Sequence, residues 1–137
     1  MDLLIDTNII LDMVLKREKY QLTVLLFKTI ENIGARAYIT ATTVTDLFYI
    51  IQRQTHNAGK TYTVMRNIFK IVSVLSVTNE DVEKAFEREW KDFEDSVQYT
   101  TAENNQMDYI ITSNIKDFEN NEGYVLLPEQ WITQFTK

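Results

Sequence analysis

Short apolar runs alternate with longer segments of helical periodicity along the whole of this 137-residue chain. Runs rich in apolar and β-branched residues predict strands at residues 2–5, 37–40, 71–75, 109–112 and 124–127. Helices are predicted between them, at residues 9–15, 20–33, 44–55 and 60–70, then from 79, over 92–105 and from 128. Strands separated by helices form βαβ crossovers, which build parallel sheets covered on both faces. We therefore predict the α/β class, as a single-domain three-layer α/β/α sandwich with a central, mostly parallel β-sheet.

Local signals predict where several of these helices begin and end, and which faces they bury. Gly34 is a favourable residue just past a helix end, and Thr78 with Asp81 can form a capping box. Pro128 suits the first position of a terminal helix. For the two helices that follow residue 78, the inward-facing residues are predicted to be Val82, Ala85, Phe86, Phe93, Val97 and Thr101.

The length and composition bound the class of protein. A chain of 137 residues with three Gly, one Pro and no Cys is expected to form one domain, residues 1–137, without disulfides or a cysteine zinc site. The first ten residues lack a basic segment and contain acids, so they do not predict a signal peptide. No run approaches the roughly 20 apolar residues of a membrane span. We expect a cytoplasmic protein.

The formal net charge is −6, which disfavours binding to nucleic acid through bulk charge. Acids gathered around metal ions would remove this objection, since the bound cations would attract phosphate.

Candidate acids follow the predicted strands or begin the helices next to them. Asp6 follows the first strand, Asp46 lies early in the helix after the second, and Asp95 lies in the first turns of the helix before the fourth. Thr112, Asn114 and Asp117 follow the fourth strand. The carboxyl ends of parallel strands share one edge of a sheet, where ligands bind. Carboxylates gathered there would repel one another unless a cation such as Mg²⁺ or Mn²⁺ neutralised them.

Each of these acids also has a purely structural interpretation. Asp6 could cap the first helix, and Asp46 could be an acid favoured by the helix dipole. The acids of residues 92–95 could form a solvated helix start, and Asn114 with Asp117 could form an ordinary turn. Their shared location favours a site.

Three motifs in this order resemble the PIN domain ribonucleases, a family that includes the VapC-type toxins of bacterial toxin–antitoxin modules. Residues 4–8 read Leu-Ile-Asp-Thr-Asn, similar to the opening strand and Asp-Thr/Ser-Asn signature of that family. Residues 92–98 followed by Ala102 resemble its acidic helix start, and residues 111–118 resemble its closing Thr-Arg-Asn-x-x-Asp-Phe pattern.

The resemblance implies a metal-dependent endoribonuclease that cleaves single-stranded RNA through a metal-activated water, with Mg²⁺ or Mn²⁺ as cofactor. It further implies the toxin of a type II toxin–antitoxin module. The implied catalytic and metal-binding acids are Asp6, Asp46, Asp95 and Asp117. The implied supporting residues are Thr7, Asn8, Thr112 and Asn114.

Three positions depart from the family pattern. Asp46 stands where VapC-type members usually have Glu, which fits a PIN subgroup but shortens the ligand arm. Ser113 stands where Arg is common, and Asn114 where many relatives have Asp, which bears on a second metal site.

The resemblance also implies partners, namely an RNA substrate, a second copy of the chain in a homodimer and a small antitoxin whose segment covers the acidic groove. The cations expected to approach the RNA are Lys16, Arg17 and Arg53, which otherwise belong to solvated helix surfaces.

Two other classes of function remain open at this point. A PIN-like module that binds a partner without cutting would lack divalent-dependent cleavage. A receiver-like phosphoacceptor domain would need an Asp after the third strand and a Lys after the fifth, where this chain has Ser76 and Pro128.

Overall fold

The structure, a computed structural model, describes residues 1–136. Its five strands are β1 (Asp2–Ile5), β2 (Arg36–Thr40), β3 (Ser73–Leu75), β4 (Tyr109–Ile111) and β5 (Val125–Leu126). They form one sheet in the order β3-β2-β1-β4-β5, and every neighbouring pair is parallel. The described strands are therefore wholly parallel.

The described chain has seven helices, of which six lie between strands and the seventh follows β5. They are α1 (Thr7–Val14), α2 (Tyr20–Ile33), α3 (Ala41–Thr55), α4 (Ala58–Ile68), α5 (Asn79–Arg88), α6 (Phe93–Asn104) and α7 (Pro128–Phe135). A single 3-10 turn, Ile115–Asp117, follows β4.

Helices cover both faces of the sheet, which confirms the predicted three-layer α/β/α architecture. Successive side chains of a strand point to opposite faces. Accordingly, Leu3 and Ile5 of β1 belong to one core with residues of α1, α2, α3, α4 and α7, whereas Leu4 belongs to a second core with residues of α6. Helix α5 packs outside α6.

The order of the strands places a crevice between β1 and β4. The chain runs from β1 outward to β3 and then returns to the other side of β1 with β4 and β5. Connections therefore leave neighbouring strands β1 and β4 in opposite directions, which opens a crevice at their carboxyl ends. Asp6 and Thr112 are the first residues beyond these two strands.

Several predicted helix ends are confirmed. Gly34 ends α2 with a φ of 73°, which glycine adopts without strain. Thr78 and Asp81 form the predicted capping box of α5, and Pro128 begins α7.

The predicted inward faces of α5 and α6 are partly wrong. Phe86 is 64% exposed and Phe93 is 41% exposed, and their rings pack against each other with centroids 4.6 Å apart. By contrast, Ala85, Val97 and Thr101 are buried as predicted. Residues 95–102 are all buried, so α6 has no solvent face over these two turns.

Within residues 1–136, none of the helices combines the length and the apolar character that crossing a membrane requires.

Candidate metal centre

Asp6 ends β1 at the crevice, and its carboxylate is held by residues from two other elements. Its backbone N–H donates to the Ile111 carbonyl over 2.9 Å, which ties the chain to β4. The side chain is 5% exposed and accepts hydrogen bonds from Thr112 Oγ1 at 2.7 Å and Gln98 Nε2 at 3.0 Å. Asp6 occupies the N-cap position of α1, as the structural interpretation expected, but its side chain makes no cap hydrogen bond and is directed to the site.

The start of α6 brings two further acids, Asp92 and Asp95, to the same place. Asp92 caps this helix, because its Oδ1 accepts a hydrogen bond from the Asp95 backbone N–H at 3.0 Å. The Asp95 side chain is buried and accepts a hydrogen bond from Gln98 Nε2 at 3.0 Å. Gln98 therefore bridges Asp6 and Asp95.

The segment after β4 supplies a further carboxylate. Asn114 donates from Nδ2 to Asp117 Oδ2 over 2.9 Å, and its backbone N–H donates to Thr112 Oγ1 over 3.1 Å. Phe118 is fully buried in the second core and fixes the end of this turn. Thr112 thus links the Asp6 and Asp117 parts of the site.

Three of these carboxylates are close enough to share an ion. One oxygen from each of Asp92, Asp95 and Asp117 lies within 4.8 Å of the others. Oxygen donors of this kind suit Mg²⁺ and Mn²⁺. Like charges this close also need a cation or bound protons for compensation. The donor set therefore fits a divalent metal.

Asp46 lies at the margin of this cluster and pairs with an acid that the sequence analysis did not select. Its carboxyl group is hydrogen-bonded to that of Glu94, and Glu94 Oε1 accepts a longer bond from Thr7 Oγ1 at 3.4 Å. Thr7 Oγ1 also lies 2.9 Å from Thr43 Oγ1, which joins the starts of α1 and α3. The sequence does place Glu94 beside Asp95, but acids are favoured in any first helical turn.

The clustering raises the pKa of three carboxyl groups. Burial raises the pKa of Asp6, against the opposing effect of its hydrogen bonds from Gln98 and Thr112. Burial and then the charges of Asp6, Asp92 and Asp117 raise the pKa of Asp95 to about 8. Burial and the hydrogen bond and charge of Asp46 raise the pKa of Glu94 to about 7. At neutral pH the metal-free site therefore retains protons.

This proton binding predicts how the stability of the metal-free protein depends on pH. The pKa of Asp95 rises from its ordinary 3.8 to about 8 on folding, so between these values the folded chain binds a proton that the unfolded chain has lost. The free energy of unfolding therefore falls as pH rises through this window. We expect the Tm without metal to fall from pH 5 to pH 8, measured by differential scanning calorimetry. Asp95→Asn should flatten this slope, and an equal slope in both proteins would contradict the assignment.

The other predicted residues lie further from the carboxylates. Asn8 is exposed and makes no side-chain hydrogen bond within residues 1–136. Lys16 lies over the Tyr20 ring, and Arg17 pairs with Asp12 at 3.9 Å.

Arg53 shares a helix face with an acid of the site. Its guanidinium lies 5.6 Å from the centroid of the Tyr49 ring, which is 62% exposed. Asp46, Tyr49 and Arg53 are spaced at i, i+3 and i+7 on α3, so they occupy one face of the helix.

A cavity of about 620 Å³ lies away from the acids. It runs between α2 and residues 69–73 and has a mostly apolar lining with Lys28, Glu31 and Lys70. None of the clustered carboxylates lines it.

The fold and site together define an α/β protein with a carboxylate cluster at the point where its strand order reverses. The chain belongs to the PIN domain family, since the model of that domain matches residues 2–116. Membership in this family removes the receiver-like alternative. A comparison with curated proteins finds no significant match.

Solved structures share this fold. A toxin–antitoxin complex from Klebsiella pneumoniae matches at 22% identity and a TM-score of 0.65, covering 91% of this chain and 96% of that one. A VapBC complex from Rickettsia felis, bound to a DNA fragment from its promoter, matches at 16% identity and a TM-score of 0.68, covering 92% and 97%. A Mycobacterium tuberculosis VapC toxin that cleaves the sarcin–ricin loop matches at 12% identity and a TM-score of 0.64, covering 79% and 86%.

Proposed function

We propose that this chain is a metal-dependent endoribonuclease that cleaves single-stranded RNA. The observation that carries the proposal is the convergence of Asp92, Asp95 and Asp117, with one oxygen of each within 4.8 Å, at the crevice beside Asp6. PIN domain membership agrees with a nuclease, and the fold is shared with the VapC toxin that cleaves the sarcin–ricin loop.

The proposed catalytic and metal-binding acids are Asp6, Asp46, Asp95 and Asp117, with Asp92 and Glu94 added from their positions in the structure. Asp92, Asp95 and Asp117 would hold the ion, and the buried Asp6 carboxylate would line the inner side of the site. A Mg²⁺ or Mn²⁺ ion supplies positive charge for the phosphate oxygens and lowers the pKa of an attacking water.

The pair of Asp46 and Glu94 is suited to a proton-transfer role. Burial and the neighbouring Asp46 carboxyl group raise the pKa of Glu94, and both favour the uptake of a proton, which a general base requires. We therefore propose that Glu94 receives a proton during attack on the phosphodiester. Thr7 orients its carboxylate through the bond to Oε1.

The exposed face of α3 offers the RNA a path toward these acids. The Tyr49 ring can stack on a base, and Arg53 beside it can meet a phosphate. Arg53 is thus the best placed of the three predicted RNA-binding cations, while Lys16 and Arg17 lie at the far end of α1 from Thr7.

We further propose a homodimer and a small antitoxin partner that covers the acidic groove. Two of the structures that share the fold are toxin–antitoxin complexes. Expression with the product of a short neighbouring reading frame tests this partner. A purified complex with suppressed RNA cleavage supports the toxin role, and a free chain with unchanged cleavage contradicts it.

The function itself is tested by cleavage of a labelled single-stranded RNA with Mn²⁺ or Mg²⁺. We expect cutting by the wild type, and its loss with EDTA or in the Asp6→Asn variant. Glu31→Gln removes an exposed acid in the distant α2 cavity and should leave the rate unchanged. Wild-type protein that binds Mn²⁺ but cuts no RNA would contradict the enzyme and favour a PIN-like binding module.

A further inference from the structure

Gln98 is a fully buried amide at the centre of the carboxylate cluster, and no motif of the sequence analysis assigned it a role. It lies three residues after Asp95 on α6, so both side chains leave the same face of the helix. Its Nε2 lies 3.0 Å from Asp6 Oδ1 and 3.0 Å from Asp95 Oδ1. Each of its two amide hydrogens thus serves a different carboxylate.

The two carboxylates depend on this amide to different degrees. Asp6 also accepts a hydrogen bond from Thr112, whereas the Asp95 side chain has Gln98 as its one donor among the described residues. The charge of Asp6 acts on Asp95, so the pair is repulsive without a positive group between them. Of the two ends of the Gln98 amide, only the NH₂ end can donate hydrogen bonds to both carboxylates.

The other end of the same amide shows that the arrangement is costly to the fold. Gln98 Oε1 is buried and has no hydrogen-bond partner. A buried carbonyl without a partner is destabilising, and native proteins usually avoid it. The hydrogen bonds of the buried Gln98 side chain are therefore confined to the two acids of the site.

We propose that Gln98 is a positioning residue that holds the Asp6 and Asp95 carboxylates in place for a divalent cation. This inference rests on the proposed function of the site. The amide engages Oδ1 of Asp95 and leaves Oδ2 of that residue free for the ion. It also fixes the separation of two acids that would otherwise move apart. Outer groups that orient metal ligands in this way typically change metal affinity by about 10–100-fold when removed.

The test compares the wild type with Gln98→Met, which keeps the length of the side chain and removes both donors. We expect the Kd for Mn²⁺, measured by isothermal titration calorimetry, to rise about 10–100-fold. The Mn²⁺ concentration for half-maximal RNA cleavage should rise by the same factor, while kcat at saturating Mn²⁺ stays within a few-fold of wild type. A residue that merely supported the fold would lower the Tm without this separation of metal affinity from kcat.

Thr101→Val is the matched control. Thr101 lies one turn further along α6, is fully buried, and carries the other buried side-chain oxygen of the described residues that lacks a hydrogen-bond partner. It does not touch the acids, so the Mn²⁺ affinity of Thr101→Val should equal that of the wild type. Equal affinity of Gln98→Met and the wild type would overturn the proposal for Gln98 while leaving the nuclease intact. A wild type that neither binds Mn²⁺ nor cleaves RNA would overturn both.

If Gln98→Met does not fold, nuclear magnetic resonance of the wild type decides. The side-chain amide protons of Gln98 should shift during a Mg²⁺ titration, with the same saturation as the backbone amide of Asp95. Amide protons that do not move while Asp95 responds would overturn the proposal.

Discussion

Asp95→Asn is expected to reduce divalent-dependent RNA cleavage by at least about a hundred-fold while raising the stability of the metal-free protein. The activity falls because one of three clustered carboxylates loses its charge. The stability rises because an uncharged amide of the same shape avoids both the burial of a carboxylate and its repulsion by Asp6, Asp92 and Asp117, which together raise the pKa of Asp95 to about 8. We expect the Tm without metal at pH 8 to rise by about 4 °C.

The opposite signs of these two effects distinguish a functional acid from a structural one. Asp81 provides the comparison, since it is buried, caps α5 and is also hydrogen-bonded to Asn104. Asp81→Asn should lower the Tm and leave the rate of cleavage at saturating Mn²⁺ unchanged. A lower Tm for Asp95→Asn, measured at pH 8 without metal, would contradict the account of the site.

Phe118→Ala is expected to lower the free energy of unfolding by about 3–5 kcal/mol and to weaken metal binding as well. Phe118 is fully buried against Trp90 and directly follows Asp117. Removing its ring leaves a cavity and frees the turn that presents the Asp117 carboxylate. Urea denaturation measures the first effect, and Mn²⁺ calorimetry measures the second.

Trp131→Ala tests whether the weaker metal binding of Phe118→Ala follows merely from its lower stability. Trp131 is also fully buried, but it lies on α7 and belongs to the other core. We expect a comparable loss of stability with an unchanged Kd for Mn²⁺. Equal weakening of metal binding by both variants would show that stability alone, and not the position of Asp117, governs the site. Where either alanine variant does not fold, Phe118→Leu and Trp131→Phe make the same comparison with smaller losses.

The order of elements was predictable because each strand and helix carries its own periodicity. Two of these predictions rest on local signals. Gly34 ends α2, and the capping box of Thr78 and Asp81 begins α5, as predicted. The third strand is shorter than its apolar run and begins at Ser73, because the backbone N–H groups of Ile71 and Val72 donate to the Ile68 carbonyl at the end of α4.

The burial of α6 on all sides could not be predicted from the periodicity of its apolar residues. This helix lies between the sheet and α5, and its first turn faces the crevice, so residues 95–102 are buried all round. Phe93 and Phe86, at positions that periodicity assigned to the interior, instead cover each other at the surface. Burial here is decided by the packing of three elements, which a single-helix pattern does not contain.

The convergence of the acids could be predicted in outline because they follow strands or begin helices next to them, but the partners of those acids could not. The hydrogen bond from Thr112 to Asp6 joins residues far apart in the chain, and it holds the Asp6 carboxylate in the site, where it makes no cap hydrogen bond. Gln98 carries no charge and belongs to a helix interior by position, so its sequence gives no sign of the bridge that it forms. Glu94 could not be selected as a site residue from the sequence, because acids are generally favoured in the first turn of a helix.

The most direct test of the central claim is Mn²⁺ binding by the wild-type chain at pH 8, followed by electron paramagnetic resonance. At this pH about half of the metal-free sites have already lost the Asp95 proton, because its pKa is about 8, so the ion meets less competition from protons than at neutral pH. The account predicts saturable binding of Mn²⁺ by the folded wild type and a markedly weaker signal of bound ion for Asp95→Asn. A folded wild type that binds no Mn²⁺ at millimolar concentration, or binds it equally well without Asp95, would contradict the metal centre and the nuclease built on it.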